Sequence, residues 1–252
     1  MRAKIFNPSE GQSPSCPFPW VTALVVALAL LVTGVPGWAA ALAYDRAGLS
    51  RGEIWRLWTG HLVHFSASHL GWDLLVVAFV GTWVERADFR GGRWLWFWAP
   101  PLVSLVLLLG EPALVRYGGL SGLATAAVVF ACLSEWRRAH AQRNLWLMLL
   151  ALVALKIGVE FITGHNFFTR FDSLPVRAVP LSHAAGFAAA IACWLTFNGS
   201  SQAEEARPGH QPAGSADDGA STPRKPAHPS RPPKPSSTAR ARVERPGIAA
   251  CG

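Results

Sequence analysis

"RYGGLSGLATAAVVF", residues 116–130, places a glycine-flanked serine, Ser121, at the mouth of a long apolar run. A serine in that setting is either a helix-packing residue or a nucleophile in a crowded turn. The choice depends on whether the run crosses a bilayer and on what other polar residues reach the same depth.

Composition settles the first point. Hydrophobic residues make up 51% of the chain and charged residues 15%, and the mean hydropathy is positive, which is unlike a soluble domain of this length. The twelve tryptophans cluster beside the apolar runs, as interfacial anchors do. Cys16, Cys132, Cys193 and Cys251 are scattered without metal-type or framework spacing. The chain therefore reads as an all-α integral membrane protein.

Segments of roughly 17–25 apolar residues are long enough to cross the hydrocarbon. Six are expected, over residues 21–44, 59–84, 94–109, 118–134, 145–163 and 179–197. The first is preceded by a polar segment, residues 1–20, and reads as a retained span. Residues 21–197 then form one domain of six spans, and residues 198–252, rich in Pro, Ser, Gly and Arg, read as a disordered tail.

Arg2 and Lys4, then Arg86, Arg90 and Arg93, then Arg137, Arg138 and Arg143, and finally the tail all flank alternate ends of the spans, so both termini are expected in the cytoplasm. Attraction of a basic tail to anionic lipid accounts for the net charge of +8. The basic residues lack the aromatic interleaving of a nucleic-acid surface, and no nucleic acid is expected as a partner.

With that orientation, spans two, four and six enter from the outer side. Span two brings His61, His64, His69 and Asp73, span four brings Gly119 and Ser121, and span six brings His183. Ionisable groups at such depth point to function unless they are paired. The histidines do not repeat as a closed ligand set, and neither metal nor cofactor is expected. A serine hydroxyl needs a base to take its proton, and histidine is the usual one. Acyl transfer also needs donors for an oxyanion, and the glycines beside Ser121 let a carbonyl approach the backbone.

Six spans, "GLSG" opening the fourth, "HFSASHLGWD" in the second and "HAAGFAAA" in the sixth together resemble a rhomboid intramembrane serine protease over about residues 20–197. "GEIWRLWTGHLVHFSASHL", "ALKIGVEF" and "LPVRAVPLSHAAG" are similar to the bacterial rhombosortase branch. The resemblance implies a six-helix rhomboid-like bundle in the bacterial inner membrane, with Ser121 as nucleophile and His183 as general base and acid. It implies oxyanion donation from the Ser121 backbone and His69, with His64 as the first histidine of the span-two motif. Asp73 departs from that motif, which carries Asn; an ionised Asp only accepts hydrogen bonds. Asp73 is expected to be protonated, or to orient His69, or to impair activity. Lys156 and Glu160, four apart on span five, are expected to form a structural ion pair. The implied substrates are exported proteins with a C-terminal Gly-Gly-containing signal and a transmembrane anchor. Two other classes compete: an inactive rhomboid-like binding or quality-control factor, and a transporter, for which no inverted repeat is visible.

Overall fold

The computed structural model describes residues 18–164 and 179–199. The N-terminal segment up to residue 17 and the tail from residue 200, with the expectation of disorder there, lie outside the described residues.

The first apolar run is not one helix over residues 21–44. Helix α1 spans Trp20–Gly34 and stops where Pro36 removes an N–H and Gly37 turns left-handed at φ 85°. Its 15 residues cover about 22 Å at 1.5 Å per residue. A short helix α2 (Trp38–Leu42), strand β1 (Tyr44–Asp45) and helices α3 (Arg46–Ser50) and α4 (Arg56–Thr59) follow. The second apolar helix starts only at Ala67, because residues 60–65 form a 3₁₀ turn and an extended link. It comprises α5 (Ala67–Val76), a π-helical turn over Val77–Gly81 and α6 (Thr82–Arg86). Next come α7 (Gly92–Gly110), strand β2 (Arg116–Tyr117), α8 (Ser121–Arg138), α9 (Arg143–Thr163) and α10 (Pro180–Asn198).

Among the described residues, four helices are long and apolar enough to cross a membrane: Ala67–Arg86, Gly92–Gly110, His140–Thr163 and Pro180–Asn198. Helix α8 is not one of them; it ends in Glu135, Arg137 and Arg138, and its Leu123, Ala126, Ala127, Val129 and Phe130 are buried. It is enclosed by α7, α9, α10 and the π-helical turn. Its small residues are what let those helices close around it. Phe79, Leu109 and Ile162 lie exposed on the outside, as on a lipid-facing surface.

Polar groups pin the helix ends. Glu85 accepts from the Val21 and Thr22 N–H groups at 3.1 and 2.6 Å and from the Thr22 hydroxyl, satisfying the open first turn of α1. Arg46 donates to Leu108 O, Glu111 O and Leu114 O at 2.7, 2.9 and 3.2 Å, closing the C-terminal end of α7. Pro101 inside α7 cannot bond Phe97 O; the Trp58 indole donates to that carbonyl at 3.0 Å. Strands β1 and β2 pair antiparallel, Tyr44 opposite Tyr117, and Arg116 meets Asp45 at 3.1 Å. The Gly48 N–H donating to the Asp45 N-cap carboxylate, with Arg116 beside it, holds that carboxyl below the usual range. This strand pair leads directly into Ser121.

Candidate active site

Three helix starts converge below the strand pair. At the first, the chain passes through Gly119 at φ 136°, a conformation side chains disfavour. A Cβ there would lie 2.5 Å from His69 Cε1, so the backbone touches that ring. The Tyr117 hydroxyl donates to Gly119 O at 3.2 Å and fixes the peptide. Ser121 is then the first residue of α8, whose N-terminus has no side-chain cap. Open N–H groups at such a start attract negative charge.

The second start belongs to α10. Pro180 occupies its first position, and the Ser182 hydroxyl donates to Val179 O at 2.8 Å. His183 follows, buried. Helices α8 and α10 touch backbone to backbone: a Cβ on Gly186 would fall on Gly122 O, and one on Gly122 would sit 2.9 Å from Ser182 O. Ser121 precedes Gly122 and His183 follows Ser182, so both residues stand next to this contact in sequence.

The third start is α5, where the Ser66 hydroxyl accepts from the His69 N–H at 3.1 Å and sets the first turn. One turn on, Asp73 Oδ2 lies 3.2 Å from His69 Nε2 and 3.1 Å from His64 Nε2. His64 Nδ1 faces Leu62 O at 3.2 Å. His61 goes elsewhere: its Nε2 lies 3.0 Å from both Pro100 O and Ser104 Oγ, a helix-packing role on α7.

Ser121, His183, His69, Asp73 and Lys156 line one cavity of about 470 Å³. The polar groups gather at one end, and apolar side chains of α5, α8 and α9, including Val76, Val128 and Val153, continue it along the helices. Among the described residues no group of three or more His, Cys, Asp or Glu is arranged to hold a metal.

Two features go beyond the sequence expectations. Lys156 and Glu160 pair at 2.8 Å as expected, but Glu160 also reaches His183 Nδ1 at 2.7 Å. Spacing along one helix cannot show a partner on another. Ser66 caps α5, and its place three residues before His69 is a capping signal in the sequence.

The chain matches the family described as Rhomboid domain over residues 51–199, and it belongs to that family. No curated protein matches the chain. It is thus a multi-pass membrane protein of a family whose members are generally intramembrane serine proteases acting on transmembrane substrates.

Proposed function

We propose that this protein is an intramembrane serine endopeptidase working through a Ser121–His183 dyad. The observation that supports the reading is the Gly122–Gly186 backbone contact, next to which lie Ser121, at the start of α8, and His183, both lining one cavity. Ser121 Oγ attacks the scissile carbonyl carbon as its proton passes to His183 Nε2. The oxyanion is stabilised by the Ser121 N–H, with Gly119 leaving room for it and Asp73 fixing the His69 ring that flanks Gly119. Collapse expels the amine, which takes the proton from His183, and water then hydrolyses the ester by the same steps reversed.

The apolar length of the cavity suits a substrate that is itself a membrane segment. Small or glycine residues near its end let a helix unwind into the extended strand a protease cleaves. The rhombosortase-like motifs favour a C-terminal Gly-Gly signal with a transmembrane anchor on exported proteins, cut near the outer face of a bacterial inner membrane. In this reading α1 and α8 also span, giving six passes with both termini cytoplasmic.

The test is labelling of the detergent-solubilised protein with a fluorophosphonate, together with cleavage of a Gly-Gly-tailed substrate. Ser121→Ala and His183→Ala should each abolish both, and the double variant should be no worse than either single because the pair acts as a unit. Cleavage that persists in Ser121→Ala refutes the nucleophile. A folded wild type that neither labels nor cleaves points to an inactive rhomboid-like binding factor.

A further inference from the structure

Glu160 and Lys156 take no part in the dyad, yet both reach its histidine. Glu160 Oε2 lies 2.7 Å from His183 Nδ1, and Glu160 is 1% exposed. Lys156 Nζ lies 3.0 Å from the same nitrogen and 2.8 Å from Glu160 Oε1. The two neighbours make opposite demands on Nδ1. An ammonium only donates and needs a bare nitrogen; a carboxylate only accepts and needs an N–H. A bare Nδ1 would face the carboxylate lone pair to lone pair across 2.7 Å in a buried place, which is costly without water. Nδ1 therefore carries the proton, and the ammonium is left to Oε1. That tautomer leaves the lone pair on Nε2, the nitrogen a base needs.

From this geometry we propose that Glu160 is a positioning residue that turns the Ser121–His183 dyad into a three-residue chain. It holds the imidazole in its base-competent tautomer and stabilises the imidazolium formed when Nε2 takes the proton of Ser121 Oγ. The proton later leaves Nε2 for the departing amine, and Glu160 itself takes none. Lys156 balances the carboxylate as an ion partner, its Nζ 2.8 Å from Oε1. The inference rests on the dyad reading above.

The test uses the full-length protein in detergent, with kinetics on one peptide substrate, fluorophosphonate labelling, and proton NMR of the ¹⁵N-histidine-labelled protein. Glu160→Gln should lower kcat about 10³-fold while KM stays within about threefold, and Glu160→Asp should recover part of the loss. Lys156→Met should cost about tenfold, since it weakens only the anchoring of the carboxylate. The His183 Nδ1–H, assigned by its absence in His183→Gln, should appear at low field in Ser121→Ala, where Glu160 is untouched. It should move upfield in Ser121→Ala/Glu160→Gln, a shift that a packing role would not produce. A wild-type rate for Glu160→Gln, no low-field proton in Ser121→Ala, or a dead Lys156→Met beside an active Glu160→Gln each overturns the inference. If the wild type labels and cleaves while Glu160→Gln matches it, the dyad stands and only the third member falls. If the wild type does neither, both fall together.

Discussion

Asp73 stands where the motif it resembles carries an asparagine, and its Oδ2 sits between two imidazoles, 3.1 Å from His64 Nε2 and 3.2 Å from His69 Nε2. An asparagine amide would offer a hydrogen to the oxyanion; this carboxylate instead grips the ring that flanks Gly119. Of the roles open to it from sequence, orientation of His69 is the one this geometry favours. Hydrogen bonds to a charged acceptor are worth about 1.5–3 kcal/mol against roughly 0.5–1.5 for neutral ones. Asp73→Asn should therefore lower kcat/KM by about tenfold, some 1.4 kcal/mol, and by a similar factor at every pH. A pH–rate profile of both proteins on one peptide checks this. Activity of Asp73→Asn that exceeds the wild type on the alkaline side would show a protonated Asp73 donating to the oxyanion instead.

At the scale of elements, the site depends on how closely α8 and α10 approach. The Gly122–Gly186 contact has no slack, because the atoms facing an added Cβ are backbone of a helix and cannot swing away. Gly186→Ala should cost about 1–3 kcal/mol through overpacking and lower activity with it by parting Ser121 from His183. Gly158→Ala is the control, since a Cβ there meets nothing within 4 Å. Thermal unfolding of both variants in detergent should show a lower transition for Gly186→Ala alone, and equal transitions would mean the helices adjust freely. Such contacts mark the limit of what sequence discloses. Ser121, His183, His69 and Asp73 were legible because each is polar in an apolar run, and the structure lines one cavity with all four. The helix bounds of the first two runs were not. Pro36 and Gly37 break an otherwise apolar stretch, and the residues before Ala67 are tied down by tertiary partners, Thr59 donating to Leu42 O and Arg56 to Ala43 O, both at 2.7 Å. The Glu160–His183 contact was equally hidden, since it exists only once α9 and α10 are packed.

Over the described residues, the basic links after α6 and α8 and the reactive groups lie at opposite ends. Arg137 donates to Asn198 O at 2.8 Å and Arg138 to Ala87 O at 3.3 Å, so the links after α6 and α8 gather with the end of α10. Glu85, at that same end, also receives the start of α1. Ser121, the β1–β2 pair and the Arg46 cap on α7 lie at the other end, where the helix starts of α5, α8 and α10 meet. Basic residues favour the cytoplasmic face when they sit in short links beside spans, and Arg86, Arg90, Arg137, Arg138 and Arg143 all belong to the first end. On the proposed topology the reactive end faces outward, close to the depth at which an exported protein's anchor leaves the membrane. A reporter fused after Asn198 should report the cytoplasm, and one inserted between residues 110 and 116 should report the outside. An alkaline phosphatase and a fluorescent protein, active on opposite sides, read the two positions independently. The reverse pattern would place Ser121 toward the cytoplasm and rule out release of ectodomains by this protein.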